Sequence, residues 1–302
     1  MSQGEAAEEA RKIYKGLQNY LKGVKKNAVS GKPFKLGKAV RFIEALTDET
    51  SLLQAISPLA VQIVQDIDYT ISHQVNVMIY SLRIGLSLNY RRTELLDLGL
   101  ASLLHDIGFF LVPAALLQKA EPLTTSELEI MRDHPRLGKK LLSPWEEEYP
   151  WLLQTVYQHH ERINGTGYPQ GIREHEMHDY AKIIGLVDAF EATTQNRPHR
   201  KRLNQIFTSR ELVSSGHAAF TPRIAKAFLR EITPYPEGSY VMLNNKLLCV
   251  VVAIDRSNPL RPDVKVLYDQ AGRKVPERIM KLKESPLHFI VDRLTPDELG
   301  RS

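Results

Sequence analysis

The feature that most constrains this chain is a succession of helical segments between Asp68 and about Thr233, separated by proline and glycine. The alternation of apolar and polar residues that is typical of a strand is almost absent from this part of the sequence. Because a helix with one apolar stripe must bury it against other elements, the pattern predicts an α-helical bundle. We assign the bundle to residues 67–235.

The region before the bundle is also predicted to be helical. Residues 5–26 carry apolar side chains at spacings of three and four, which predicts an amphipathic helix. A second helical region is expected from about Leu36 to Asp66, with a break near Ser57-Pro58, since proline is tolerated at a helix start. This N-terminal helical region, residues 1–66, is equally compatible with a dimerisation or signalling element and with a stabilising lid.

The character of the sequence changes after Pro236. Ser239–Leu243 and Lys246–Ile254 are rich in apolar residues and flank two asparagines suited to a tight turn. Val264–Tyr268 adds another short strand. Residues 236–302 are therefore predicted to form a small C-terminal β element, and the expected fold class is an all-α bundle with an N-terminal helical region and this extension.

Composition narrows the classes of protein to consider. Cys249 is the sole cysteine, so no intramolecular disulfide is available and a cytoplasmic location is expected. No stretch approaches the ~18 apolar residues of a membrane-spanning helix, and the polar start does not resemble a secretory signal, so no membrane association is expected. The net charge of +5 favours anionic partners, and we expect no polynucleotide among them.

The strongest local signal is the pair His105-Asp106, which closes a strongly apolar helix. Leu98 and Ala101 lie seven and four residues before His105, so the imidazole points toward the core. A buried aspartate beside it is costly unless it is paired, hydrogen-bonded or bound to a metal. Alone, the pair is also compatible with a core histidine next to a capping aspartate.

A second signal is the pair His159-His160. Pro150 can begin the helix that ends in these histidines, and a glycine-rich loop follows them. Two adjacent imidazoles at such a position are unusual in a purely structural helix end, so we interpret them as ligands.

Three further polar residues lie on or beside apolar helix faces: His73, His134 and Asp188. A capping box at Thr124 predicts a helix from near Ser126 that reaches His134, where Pro135 limits its continuation. Each of the three, taken singly, is explained by a satisfied core group. Together with the two pairs they form a nitrogen and oxygen donor set without thiolate, suited to iron, manganese, zinc or nickel and large enough for a pair of metals.

The order and spacing of these motifs resemble the HD-GYP family between about Asp68 and Arg202. The matching segments are His105-Asp106, His134-Pro135, His159–Arg162, Gly167–Pro169, Asp188 and Arg197–Arg200, and Asp68–His73 is similar to the first ligand motif. The resemblance implies a helical HD-type bundle and a phosphodiesterase that hydrolyses cyclic di-GMP, or a related cyclic dinucleotide, to linear pGpG and on to GMP.

The resemblance also implies the roles of individual residues. His73, His105, Asp106 and Asp188 are expected around one divalent metal; Asp106, as a bridge, with His134, His159 and His160 around the other. Iron or manganese is expected first, with zinc or nickel as alternatives. His105 and Asp106 are the expected catalytic pair, and the expected substrate contacts are Arg162, Tyr168, Pro169, Glu191, Arg197 and Arg200.

Two positions depart from the family pattern. Tyr69 stands where members with a third metal carry a glutamate, so two metals are expected. Phe109 replaces the lysine of the HDxGK motif, which removes a cation near the scissile phosphate. Because of this change, alternative functions are also considered. One is a module that senses cyclic dinucleotides without turnover; the others are HD hydrolases of cyclic GMP-AMP or of nucleoside phosphates. A signalling-protein partner and a homodimer also remain open.

Overall fold

The computed structural model describes residues 2–61, 69–119, 121–194, 219–231, 235, 237–255, 258 and 260–294. The helices of this part of the chain are α1 (Gln3–Val29), α2 (Gly37–Asp48), α3 (Thr50–Val61), α4 (Tyr69–Ser87), α5 (Arg92–Leu104), α6 (Ala114–Leu117), α7 (Thr125–Arg132), α8 (His134–Leu142), α9 (Pro150–Gln158), α10 (Asp179–Thr194) and α11 (Pro222–Glu231). None of the described helices is both long and apolar enough to cross a bilayer.

The first helix confirms the amphipathic pattern read from residues 5–26 and extends it at both ends. Ser2 caps α1 through a reciprocal capping box with Glu5, which satisfies two backbone amides of the first turn. The apolar face of α1 packs against α3 and α4. The N-terminal region is thus an integral part of the bundle core.

The second helical region breaks at a different place from the one predicted. Glu49, with extended backbone angles, separates α2 from α3, and Pro58 lies inside α3. Gln54, whose carbonyl loses its helical partner because Pro58 has no N–H, lies with Pro58 on the exposed face, where water can reach that carbonyl. The buried stripe of α3 therefore continues past the proline without interruption.

Helix α4 is the centre of the bundle. Its residues from Ile71 to Leu82 are all buried, and α1, α3, α5, α10 and α11 pack around it. A helix that is surrounded on all sides has no polar face, which explains its weakly amphipathic sequence. Polar groups on α4 consequently face protein, and His73 is one of them.

The C-terminal element is larger than predicted. It is a five-stranded antiparallel sheet of order β4-β3-β2-β1-β5, formed by β1 (Tyr240–Leu243), β2 (Leu248–Ala253), β3 (Asp263–Tyr268), β4 (Lys274–Lys281) and β5 (Ile290–Leu294). The first three strands confirm the predicted runs, but the sequence did not reveal β4 and β5. β4 has no buried residue, so it lacks the apolar alternation that marks a strand.

The sheet has a hydrophobic core of its own, distinct from that of the bundle. Its fully buried residues include Val241, Cys249, Val251, Val264 and Val266. The predicted helical bundle with a C-terminal β element is therefore confirmed in outline, and the β element is a five-stranded sheet with its own core.

Candidate metal centre

Five elements of the bundle bring the predicted ligand residues together. His73 lies in α4, Asp188 in α10, and His105 and His159 are the residues that close α5 and α9. His134 is the first residue of α8, because α7 already ends at Arg132; the capping box at Thr124 is confirmed, but the helix is shorter than predicted. Asp106 and His160 directly follow the two helix-closing histidines.

The ligand atoms form two groups that share one residue. One group contains His73, His105, Asp106 and Asp188, and the other contains Asp106, His134, His159 and His160; within each group the atoms lie within 4.8 Å of one another. The two groups have the same members as the two ligand sets that the family resemblance implies.

Asp106 faces both groups at once. Its Oδ1 lies 3.1 Å from His134 Nε2 and 3.4 Å from His159 Nε2. Its Oδ2 lies 3.4 Å from His73 Nε2 and 3.5 Å from His105 Nε2. Because each oxygen points into a different group, the carboxylate has the geometry needed to bridge two cations.

Three of the imidazoles have their tautomer fixed by the backbone. Nδ1 of His105, His134 and His159 lies 2.7–2.8 Å from the carbonyl oxygen three residues earlier, those of Ser102, Met131 and Val156 respectively. A carbonyl only accepts, so Nδ1 carries the proton in each ring. Nε2 therefore presents a lone pair to the centre, which is the arrangement of metal-binding histidines.

The short distances between ring nitrogens at the centre suit a bound cation. His134 Nε2 lies 3.3 Å from His159 Nε2 and 3.0 Å from His160 Nε2. The lone pairs of His134 and His159 repel at 3.3 Å unless a proton or a cation lies between them. In the described part of the chain, His105 Nε2 and Asp106 Oδ1 are buried without a hydrogen bond. Buried nitrogen and oxygen donors without sulfur suit a divalent transition metal.

The pKa shifts of His105 and Asp188 favour the forms that bind metals. Burial lowers the pKa of His105 to about 4, so its ring is neutral at physiological pH. Burial opposes ionisation of Asp188, but its hydrogen bond with His73 outweighs burial and holds the Asp188 pKa well below the usual range. Neutral imidazoles and ionised carboxylates are the protonation states that bind metals.

Glu191, one of the expected substrate contacts, lies against His73. The resemblance placed it against the nucleotide, whereas its carboxylate is 1% exposed and accepts hydrogen bonds from His73 Nδ1 and from Asn76 Nδ2 at 2.8 Å. Tyr69 donates to the same carboxylate at 3.1 Å. Glu191 thus holds His73 with its Nε2 toward the centre, as an outer carboxylate does in a carboxylate–histidine–metal triad.

Two aromatic rings stack on ligand-type imidazoles. Phe109 lies parallel to His134 with ring centroids 3.9 Å apart, and Tyr168 lies parallel to His160 at 4.6 Å. Phe109, at the position of the family lysine, therefore covers one face of His134 with apolar surface.

The other expected substrate contacts fall in three places. Arg162 donates to the Glu161 carbonyl at 2.8 Å and lies over the Phe220 ring, so it stabilises the start of the loop that follows His160. Pro169 is exposed beside Tyr168. Arg197 and Arg200 lie outside the described residues.

Sequence reasoning missed Glu161 as a residue that shapes the site. Its buried carboxylate accepts hydrogen bonds from the backbone amides of Gln170, Gly171 and Ile172 at 2.6–3.2 Å, which fixes the loop after His160. A Cβ at Gly167 would lie 2.4 Å from Arg162 N, so this glycine is needed where the loop folds back on itself. An acidic residue directly after a ligand pair was the available signal.

Glycine also lets the ligand-bearing elements approach one another closely. A Cβ at Gly185 of α10 would lie 2.4 Å from the His159 carbonyl oxygen. A Cβ at Gly108 would lie 1.9 Å from the carbonyl oxygen of His134. The packing of α10 on α9 therefore requires glycine at position 185. The packing of Ile107–Leu111 on α8 likewise requires glycine at position 108.

The fold and the site define a helical bundle protein that carries a shared-carboxylate His/Asp centre. A family model described as HD domain matches residues 51–217, and a model described as KOW domain associated with HD domain matches residues 240–302. The chain belongs to the HD domain family, as an HD-GYP member.

Known relatives agree with this assignment. The cyclic di-GMP phosphodiesterase PA4108 of Pseudomonas aeruginosa is 30% identical over 256 residues, which cover 82% of this chain and 61% of PA4108. The cyclic di-GMP phosphodiesterase PdeB of Borreliella burgdorferi is 30% identical over 66% of this chain and 52% of the relative. The chain thus spans about three fifths or less of the length of these relatives.

Two further proteins are similar to this chain. The 3'3'-cGAMP-specific phosphodiesterase 3 of Vibrio cholerae is 28% identical over 56% of this chain and 36% of the relative. The solved structure of Bd1817, an HDGYP protein from Bdellovibrio bacteriovorus, superposes with a TM-score of 0.52 at 19% identity, covering 75% of this chain and 68% of that one. At this identity the superposition supports the shared fold.

Proposed function

We propose that this chain is a metal-dependent phosphodiesterase that hydrolyses cyclic di-GMP, with its activity in residues 67–235. The observation that carries the proposal is Asp106, whose two oxygens face two separate groups of buried imidazoles. Two divalent metals, iron or manganese first and zinc or nickel as alternatives, would be held by these groups. Such a pair supplies Lewis acidity and activates water for in-line attack on a phosphodiester.

The side chains around the centre have defined tasks in this proposal. Glu191 orients His73, and the helix carbonyls orient the three histidines described above. Phe109 and Tyr168 exclude water from one face of His134 and His160. Arg197 and Arg200 are proposed to donate to phosphate oxygens, since guanidinium groups form bidentate hydrogen bonds with them.

The reaction follows from the chemistry of the substrate. Water adds to phosphorus, the bond from phosphorus to the 3' oxygen breaks, and that oxygen takes a proton. The product is linear pGpG with a 5' phosphate. A second hydrolysis of the remaining diester would give GMP.

Product analysis tests this proposal. Metal-replete protein is incubated with cyclic di-GMP, and the products are separated by chromatography. We expect pGpG from the wild type and background turnover from Asp106→Asn, because Asp106 belongs to both groups. Asp97→Asn, the same change on the half-buried side of α5, is the control and should retain activity. Wild-type protein that holds both metals and cleaves neither cyclic di-GMP nor cyclic GMP-AMP would rule out the phosphodiesterase.

Cyclic GMP-AMP is the second candidate substrate. The similarity to the cGAMP-specific phosphodiesterase favours it, together with Phe109 in place of the family lysine. Higher kcat/KM for cyclic GMP-AMP than for cyclic di-GMP in the same assay would select it. Tight binding of either nucleotide without turnover would instead select the sensing module.

A further inference from the structure

Two polar side chains on the buried face of α1 are bonded to α4. Tyr14 donates its hydroxyl proton to Asn76 Oδ1 at 2.8 Å, and Gln18 Nε2 donates to Ser72 Oγ at 3.2 Å. Ser72 and Asn76 lie one residue before and three residues after His73. The first helix therefore makes its polar contacts with α4 on both sides of a ligand-type histidine.

The contact of Tyr14 continues to His73 through a chain of hydrogen bonds. Asn76 accepts from Tyr14 through its oxygen and donates through Nδ2 to Glu191 Oε1 at 2.8 Å. The other oxygen of Glu191 accepts from His73 Nδ1. Tyr14, Asn76, Glu191 and His73 are 7%, 2%, 1% and 1% exposed, so water does not compete for these bonds.

The chain of bonds has a fixed direction. The Glu191 carboxylate can only accept, so it orients the Asn76 N–H₂ toward itself and leaves the amide oxygen to accept from the Tyr14 hydroxyl. The carboxylate is then held on both oxygens, one by Asn76 and one by His73. Loss of the Tyr14 hydroxyl leaves the buried Asn76 oxygen without this donor. Asn76 then loses one of the two contacts that hold its amide, so the amide shifts, and Glu191 and His73 shift with it.

We propose that Tyr14 is a positioning residue for the metal ligand His73, so that helix α1 is a functional part of the metal centre. The proposal rests on the proposed metal-binding function. It assigns a role to a residue outside the segment matched by the HD domain model, which begins at residue 51. Tyr14 acts through Asn76 and Glu191 and does not itself touch the metal.

A matched pair of substitutions tests it. Tyr14→Phe removes the hydroxyl and keeps the ring. Tyr20→Phe makes the same change six residues later on α1, where the hydroxyl donates to the backbone oxygen of Lys35 at 3.2 Å, away from the centre. Mn²⁺ is titrated into metal-free protein and free Mn²⁺ is measured by electron paramagnetic resonance, which gives the affinity of each binding step. The melting temperature of each metal-free variant is measured in parallel.

We expect Tyr14→Phe to weaken one of the two Mn²⁺ binding steps by roughly 3- to 10-fold, less than the ~10- to 100-fold typical of a direct outer partner of a ligand. Tyr20→Phe should leave both steps unchanged. Equal affinities in wild type and Tyr14→Phe would overturn the proposal. Equal weakening by both substitutions would also overturn it, because it would trace the effect to the stability of α1.

A double substitution tests the route through Asn76. Asn76→Leu interrupts the chain of bonds, so Tyr14→Phe should have no further effect on Mn²⁺ binding in that background. Additive effects would contradict a route through Asn76. Wild-type protein that binds no Mn²⁺ would instead refute the metal centre itself, a result distinct from unchanged affinity in the Tyr14→Phe variant.

Discussion

Three of the ligand-type histidines donate hydrogen bonds to backbone carbonyls at helix ends. The last carbonyls of a helix have no intrahelical N–H partner. Ser102, Met131 and Val156 belong to the last turns of α5, α7 and α9, and their carbonyls accept from the Nδ1–H of the histidine three residues later. One hydrogen bond therefore both satisfies a helix end and aims Nε2 at the centre.

The role of Glu191 gives a prediction at this scale. Glu191→Gln keeps the size of the side chain but replaces one acceptor oxygen with an amide donor, so it cannot accept from both His73 and Asn76. We expect metal affinity to fall by roughly 10- to 100-fold. Competition with a chelator of known affinity measures it. The exposed Glu277→Gln on β4 is the control, and equal affinities in the two variants would contradict the assigned role.

The part of the site that sequence could predict is set by local pattern. His105-Asp106 and His159-His160 stand at the ends of apolar helices, so their position along the chain already predicts where they point. Glu191 and Asn76 become partners only when α10 packs on α4, and no spacing in the sequence reveals that contact. Direct ligand candidates were therefore predictable, whereas the residues that hold them were not.

At the scale of elements, predictions succeeded where a local signal determined the structure. The capping box at Thr124 and the proline at the start of α9 mark real helix starts. The break placed at Pro58 was wrong, because an exposed helix face tolerates a proline that a buried face would not. Strand β4 was missed because its partner is β3 alone and its side chains are not buried.

Close packing of α10 on the end of α9 gives the prediction at this scale. Gly185→Ala places a Cβ against the His159 carbonyl, and we expect it to destabilise the fold by about 1–3 kcal/mol and to weaken metal binding. Gly23→Ala in α1, where nothing lies within 4 Å of the added atom, should stabilise by about 1 kcal/mol because alanine favours the helix. Urea unfolding measures both, and a stabilising Gly185→Ala would contradict the packing argument.

At the scale of the whole molecule, the bundle and the sheet bury separate hydrophobic cores. Metal bound to the native bundle stabilises it by mass action, by about 2.7 kcal/mol at a free concentration 100-fold above Kd. The sheet contributes no residue to the His/Asp groups. Bundle and sheet are therefore expected to respond differently to removal of the metal.

Hydrogen exchange measures this difference. Chelation should lower amide protection in α4, α5 and α8 to α10, while protection in β1 to β3 stays constant. In Asp106→Asn the chelator should have little effect. Val266→Ala removes buried volume from the sheet, so it should lower amide protection in the sheet and leave protection in the bundle constant. Equal loss of protection in the bundle and the sheet on chelation would indicate one cooperative unit.

The positions of the two ligand groups along the chain also set an order of assembly during synthesis. The group of Asp106, His134, His159 and His160 is complete in the growing chain before Asp188 of α10 has been made. The other group waits for Asp188, and His73 waits further for Glu191, 118 positions away. Because chains fold from the N-terminus as they are made, the two ligand groups form one after the other. A nascent chain that stops before α10 therefore has only the group of Asp106, His134, His159 and His160 with which to bind a cation.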